Sequence, residues 1–290
     1  MKGIVLAGGA GTRLYPASAP ISKILLPVYN KPMVYYPIST LMLAGIRDIM
    51  IISNPDDVDN FRKLLKDGSQ LGVKFEYAVQ EEPKGIAQSF LIAEDYIKND
   101  NVALILGDNI FHGQGFAPQM KKAIKENRGA TVFCCRVKKP KHFGVVEFDR
   151  KGNPVSIEEK PKKPKSKYAV VGLYFYNNEV VKYAKKLEPS ERGELEITDL
   201  NNLYLKDNKL KVETLGRGFT WLDTGTFDTL LRASNFVQAS ENTKGEKIAC
   251  LEEIALNEGF ITKEQLKSTI KNTKIKNDYI KYIKELLPEY

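Results

Sequence analysis

Three glycines in four positions open the chain's chemistry, in the stretch LAGGAGTRLYP from Leu6 to Pro16. The β-branched pair Ile4–Val5 just before them reads as the end of a buried strand. A glycine loop leaving a strand can turn several N–H groups toward an anion, and Arg13 would add a bidentate charge. The two commonest phosphate motifs do not fit. No Gly-Lys-Ser/Thr follows the glycines, and Leu14 takes the place of the third glycine of a dinucleotide fingerprint. That fingerprint also wants an acidic residue about 20 residues on, where this chain reads NKPM.

Two carboxylates form the second candidate constellation. Asp108, in LILGDNIF, stands where an apolar run breaks out, and Asp223, in WLDTGT, is flanked by apolar residues and a glycine turn. Oxygen ligands from two loop mouths can share one Mg²⁺, which keeps several waters and bridges to substrate phosphates. Each aspartate also suits a humbler role, Asp108 in a turn and Asp223 as a helix cap. Spacing alone does not bring the two together.

These residues need a scaffold, and the chain alternates strand and helix patterns. GIVLA, DIMIIS, KFEYAVQ, NVALILGD and GATVFCCRV read as strands. Between them PMVYYPISTLMLAGI, DDVDNFRKLLKDGSQLG, IAQSFLIAEDYIKN and FAPQMKKAIKENRG read as helices. Such alternation predicts an α/β fold, a Rossmann-like, mainly parallel mixed sheet with helices on both faces. Ligands then collect at the carboxyl ends of the strands, where LAGGAGTR and LILGDN can meet. VVEF, VSIEEKP and AVVGLYFYNN add strands, partly antiparallel; LEITDLNNLYLKD reads as a helix and LKVETLG as a strand. From about Ser240 the pattern becomes helical and lysine-rich, a C-terminal appendage packed on the core.

Composition narrows the class. The 290 residues carry 44 basic and 36 acidic side chains, a net charge of +8 that suits small anionic substrates. The one dense basic cluster, KPKKPKSK (Lys160–Lys167), reads as a solvated, proline-broken loop, and no aromatic-interleaved basic strand accompanies it. No nucleic-acid partner is expected. No run approaches 18 apolar residues, and MKGIVLAGG is too short for a signal peptide, so no membrane association is expected either. Three cysteines, two of them adjacent, match no disulfide framework or zinc spacing. The expectation is a cytoplasmic protein.

Taken together, LAGGAGTRLYP, SKILLPVYNKPMVYYPISTLMLAGI, LGDNIF, GVVEF, IEEKP, VGLYFY, RGELEITDLN and TWLDTGTFDTLLRASNF resemble the sugar-1-phosphate nucleotidyltransferases, in order and spacing, from residue 1 to the C-terminal helices. The resemblance implies a nucleotidyltransferase core over 1–239, with a nucleotide half over about 1–110 and a sugar-phosphate half over about 111–239. A helical segment, 240–290, would pack on that core or on a neighbouring subunit. A sugar-phosphate oxygen would attack the α-phosphorus of dTTP in line, yielding dTDP-glucose from glucose 1-phosphate and releasing pyrophosphate. This is a first step toward dTDP-deoxysugars such as dTDP-rhamnose.

By the same resemblance Gly8, Gly11, Thr12, Arg13, Lys23, Gln80, Gly85 and Asp108 bind nucleotide, Gln80 and Gly85 facing the base. Gly144, Glu159, Lys160 and Val170 bind the sugar phosphate. Asp108 and Asp223 hold Mg²⁺, and Arg13, Lys23 and Lys160 are the catalytic cations. A homotetramer with a dTDP-sugar feedback site at an interface is implied as well. One departure bears on nucleotide choice: Ile24 stands where the family commonly has a glutamine beside the nucleotide, which keeps a UTP-using or broad-specificity enzyme open. A non-catalytic sugar-nucleotide sensor on the same fold would need neither metal ligand, so keeping Arg13, Lys23, Asp108 and Asp223 together speaks against it.

Overall fold

A computed structural model describes residues 1–9, 11–271 and 273–287. Its strands are β1 (Lys2–Leu6), β2 (Pro27–Val28), β3 (Lys31–Pro32), β4 (Asp48–Ser53), β5 (Lys74–Val79), β6 (Val102–Leu106), β7 (Asn109–His112), β8 (Ala130–Arg136), β9 (Gly144–Phe148), β10 (Pro154–Glu159), β11 (Tyr168–Tyr176), β12 (Leu210–Thr214) and β13 (Thr220–Asp223). Helices α1 (Tyr35–Leu43), α2 (Val58–Leu65), α3 (Gln88–Ile92), α4 (Glu94–Ile97), α5 (Phe116–Glu126), α6 (Val180–Ala184), α7 (Ile197–Lys206) and α8 (Phe227–Lys244) come between and after them. Helices α9 (Leu251–Asn257), α10 (Lys263–Lys271) and α11 (Asp278–Glu285) follow.

Among the described residues the main sheet has nine strands, in the order β10-β9-β11-β6-β1-β4-β5, with β8 also on β11 and β12 on β8. Strands β6, β1, β4 and β5 run parallel, whereas β11 is antiparallel to β6, so the sheet is mixed as expected. Helices cover both faces, which is why the parallel strands are apolar throughout rather than alternating. The pleat still sorts their side chains. Val5, Ile49, Ile51 and Ile105 pack with Ile38 and Leu41 of α1 on one face. Ile4, Met50, Ile52 and Leu104 pack with Phe90, Tyr96, Leu200 and Tyr204 on the other. The adjacent pair Ile4–Val5 therefore serves both cores.

Three local features differ from the sequence reading. The expected helix over IAQSFLIAEDYIKN is two, α3 and α4, meeting at Ala93. The short strands β7 and β13 pair in a small sheet of their own, and neither is long enough to show a period. The boundary expected at 239/240 falls inside α8, which begins at a capping box between Thr226 and Thr229 and runs on to Lys244. Beyond it, α9 packs on α1. Helix α11 is held to α9 by Tyr279 donating to Glu252 (2.6 Å) and Tyr282 donating to Glu253 (2.8 Å).

A buried ion pair joins the β2–β3 hairpin to α8. Lys31, 2% exposed, donates to Glu241 Oε1 at 2.7 Å, and Asn30 Nδ2 donates to Glu241 Oε2 at 2.7 Å. Ile248 N–H completes the carboxylate's shell at 3.0 Å. Burial pushes the Lys31 ammonium below its ordinary range, against the pull of Glu241. Removing one partner strands the other charge, a loss of about 3 kcal/mol or more. Lys31→Met should therefore lower the unfolding free energy from urea titration by that measure; an unchanged value would show that Lys247, 3.6 Å from Glu241, takes over.

Candidate active site

Strands β1 and β6 are parallel neighbours with Leu6 opposite Leu106, and Gly107 N–H donates to Leu6 O at 2.9 Å. The glycine loop and Gly107–Asp108 consequently leave the sheet side by side. The chain then runs on as β7, which pairs antiparallel with β13 so that Asn109 stands opposite Asp223. Thr224 ties the two loops, donating through N (3.1 Å) and Oγ1 (2.8 Å) to Asp108 O. The two aspartates, far apart in the chain, thus share one site.

Their electrostatics are opposed. Burial on its own would raise the Asp108 carboxyl, but the Lys23 ammonium ion-paired to Oδ2 and the Asn109 amide donating to Oδ1 (2.9 Å) outweigh it, leaving Asp108 below the usual carboxylate range. Asp223 is pushed above that range by burial and then by the charge of Asp108, with Gly225 N–H (2.7 Å), Lys23 and Arg13 opposing. Two like charges held at one strand pair, offering oxygen donors only, fit a hard divalent cation that takes its remaining ligands from water and phosphate. Among the described residues no cluster of three or more His, Cys, Asp or Glu offers a fuller metal cage.

A cavity of about 640 Å³ opens from this pair. Arg13, Asp108, Gly144, Glu159, Lys160, Val170 and Asp223 line it, as the sequence reading places them, and so do Tyr174 and Trp221. Glu159 is the polar centre of its far wall. Its Oε2 accepts from Thr198 Oγ1 at 2.6 Å, and its Oε1 lies 3.4 Å from Lys160 Nζ and 3.7 Å from Arg192 Nη2. Gly144 leaves this carboxylate uncovered, since a side-chain carbon there would come within 3.4 Å of it. Lys160 occupies the left-handed region at φ 42°, a strained conformation for a lysine, fixed by its N–H bond to Phe143 O at 3.1 Å.

The remaining nucleotide candidates form a second group beside the cavity. Gln80, 3% exposed, places its Oε1 against Gly8, where any side-chain carbon would fall 2.3 Å from it, and donates through Nε2 to Gln88 at 2.7 Å. Gly85 lies on the backbone of Leu195 at φ +102°, a conformation that favours glycine. Gly11, Thr12 and Arg13 lead into a short helical turn at the mouth, pinned by Ser18 Oγ donating to Gly11 O at 2.8 Å. Lys23 bridges the two groups through Asp108. Ile24 does not join them. Its side chain is 1% exposed and points into the core against Gly107, so it carries no polar contact in place of the family's glutamine.

Sequence reasoning missed Asn109, Arg192, Glu196 and Thr198, all of which line the cavity. Arg192 stands in RGELEITDLN among acidic residues that suggest an exposed turn; it pairs with Glu196 at 2.7 Å and Glu194 at 3.4 Å. The signal that could have found it is a lone arginine beside a helix start whose partners are also cavity residues.

A cleft of about 640 Å³ at the carboxyl ends of parallel strands, lined by the paired carboxylates with Arg13 and Lys160, fits a phosphate-handling transferase of the α/β class. The family described as Nucleotidyl transferase matches residues 2–240, and the chain belongs to it. Proteins named glucose-1-phosphate thymidylyltransferase are 56% identical in Neisseria meningitidis serogroup A and 53% in Mycolicibacterium smegmatis, each over 99% of both chains. A crystal structure from Bacillus anthracis, provisionally described under the same activity and holding sucrose, is 43% identical with a TM-score of 0.76, covering 81% of this chain and 94% of its own. Enzymes of this family generally use a divalent metal.

The raised Asp223 fixes a sign for stability. Stability gained from its protonated form is fully present below the ordinary carboxylate range and is lost as pH rises through the raised value. At neutral pH, in chelator, Asp223→Asn should therefore raise Tm, the gain shrinking as pH falls, while kcat measured separately with Mg²⁺ drops by about 10²-fold or more. A lowered Tm at pH 7 would contradict the charge reading.

Proposed function

We propose that this chain transfers a thymidylyl group from dTTP to α-D-glucose 1-phosphate. A phosphate oxygen of the sugar attacks the α-phosphorus, the bond to the β-phosphate oxygen breaks, and pyrophosphate leaves with dTDP-glucose as the other product. The observation that carries this reading is the continuity of the site: the Asp108–Asp223 pair with Lys23 and Arg13 opens directly onto the Glu159–Thr198–Lys160 wall. The names of relatives alike over the whole chain support the same substrates.

Little covalent chemistry is asked of such a protein, and positioning and charge neutralisation dominate. In this reading the glycine loop and Thr12 hold the triphosphate, and Arg13 takes the portion that leaves. Lys23 moves between Asp108 and the phosphates near the reacting centre. Gln80 and Gly85 offer the base its edge contacts through side-chain amide and backbone. Glu159 accepts sugar hydroxyls, beside the backbone at Gly144 and Val170, while Lys160 neutralises the sugar phosphate with Arg192 across the wall. Asp108 and Asp223 hold Mg²⁺, which supplies charge neutralisation at the α-phosphate when bound.

The wider expectations belong to the same proposal. Phe227 and Leu231, 49% and 62% exposed one turn apart on α8, leave apolar surface on the helix whose Ser234 accepts from the N–H of exposed Tyr29, and support assembly toward a homotetramer, the setting for dTDP-sugar feedback. Three unpaired cysteines suit a reducing cytoplasm. Among the described residues no helix is long and apolar enough to cross a membrane.

Pyrophosphate release with glucose 1-phosphate and Mg²⁺, run in parallel with dTTP and UTP, tests the reading. Faster release with dTTP is expected, and comparable or faster release with UTP would move the assignment to a broader enzyme. No release with either would overturn it. Lys160→Ala should raise the KM for glucose 1-phosphate by about tenfold or more with a smaller effect on dTTP. A rise confined to the nucleotide KM would place Lys160 in the other half of the site.

A further inference from the structure

Asn109 is 2% exposed, and every polar atom of its side chain is engaged with a different part of the cleft. Its Nδ2 donates to Asp108 Oδ1 at 2.9 Å. Its Oδ1 accepts from the indole Nε1 of Trp221 at 2.6 Å and from Gly172 N–H at 3.1 Å. Its backbone stands opposite Asp223 in the β7–β13 ladder. One residue therefore holds the Asp108 carboxylate, pairs through its backbone with the strand that ends at Asp223, and holds two pieces of the cavity wall.

The local fold explains why these partners are available. The β11–β8 ladder shifts register between Val170 and Tyr174, and Gly172 N–H, inside that irregularity, turns to Asn109 instead. Gly172 has room for no side chain, since a carbon there would lie 2.7 Å from Asn109 Oδ1. Trp221, the chain's single tryptophan, stands two residues before Asp223 and packs edge-on against Phe143 with ring centroids 5.0 Å apart. Phe143, Val170, Gly172 and Trp221 all line the cavity. A shift of Asp108 would stretch its part-buried bond to the Asn109 amide, and a moved amide would loosen its bonds to Trp221 and Gly172 together.

We propose that Asn109 is a positioning residue that couples the two half-sites: occupation of the Asp108–Asp223 end by metal and nucleotide orders the sugar-side wall through its amide. This rests on the substrates proposed above. Asn109 acts through Asp108, Trp221 and Gly172 rather than on the reacting atoms. The consequence is thermodynamic and reciprocal, a tighter grip on sugar phosphate when nucleotide is bound and the converse.

The test measures binding, not turnover. Glucose 1-phosphate is titrated calorimetrically into the full chain with Mg²⁺, with and without dTTP bearing an α,β-methylene bridge, while Trp221 emission follows addition of that analogue alone. The wild type should bind sugar phosphate roughly tenfold more tightly with the analogue present, within the usual range of coupling, and the analogue alone should shift the tryptophan emission. Asn109→Asp keeps an oxygen for Trp221 and Gly172 but loses the N–H to Asp108. Its coupling factor should fall to about 1 and its emission shift should vanish, a readout that a merely structural role would not move separately from Tm. Trp221→Phe, which leaves the Asp108 and Gly172 bonds in place, cuts the other arm and should also reduce the factor; this second variant decides if Asn109→Asp does not fold. Coupling retained in either folded variant overturns the proposal, as does a wild type that binds both ligands without coupling. A wild type that binds neither ligand overturns the substrate reading and this proposal with it.

Discussion

Two carboxylates forced together at one strand pair are the constraint around which this cleft is organised. Asp108 stands just before β7 and Asp223 ends its partner β13, both largely withdrawn from water. Left alone, such a pair would hold a proton rather than two charges. Lys23 and the Asn109 amide keep Asp108 ionised, and the cost falls on Asp223, whose carboxyl is driven upward. The arrangement is a stored electrostatic tension that a hard cation and a polyphosphate are suited to relieve, and the sheet's parallel register at Leu6 and Leu106 brings the glycine loop to the same place.

The Gly85 loop and the Glu159 wall are also mechanically joined. Leu195 N–H donates to Lys84 O at 2.8 Å and Leu195 O accepts from Ala87 N–H at 3.2 Å, so the loop carrying Gly85 is stitched to the start of α7. One residue on, Glu196 holds Arg192, and Arg192 reaches toward Glu159. Three residues beyond Leu195, Thr198 donates to Glu159. A short segment, 192–198, therefore contacts the proposed base edge through backbone and the proposed sugar site through side chains. In the proposed division into a nucleotide half and a sugar half, this segment would belong to both.

The scaffold was legible because its signals are local. β-Branched runs such as DIMIIS and VALIL can only be buried strands here, and glycine loops at their ends need no knowledge of partners. The meeting of Asp108 and Asp223 was not legible from spacing, because it is made by two four-residue strands whose pairing is a tertiary event. Asn109 was hidden for a related reason. Its role depends on a register shift in β11, more than 60 residues away, which the apolar run AVVGLYFY does not announce. Arg192 was masked by its acidic neighbours. Ile24 shows the opposite failure: the identity of the residue was plain, but which way the side chain points is set by the turn Lys23–Leu25 and the packing behind it.

The inward Ile24 narrows how a pyrimidine triphosphate can be chosen in this cleft. With that side chain sealed against Gly107, selection between thymine and uracil falls, in the proposed site, to Gly8, Gln80 and the Gly85 loop. The Gln80 amide is held by its bond to Gln88, so in the proposed site it presents one orientation to a base edge, and both pyrimidines offer that edge the same donors and acceptors. What remains to tell them apart is the thymine methyl and the absence of a ribose hydroxyl. A single methyl in an apolar niche is worth about 1–3 kcal/mol, roughly 10- to 200-fold. Preference for dTTP built on this frame is accordingly bounded by packing around one carbon unless a polar group meets the 2′ position.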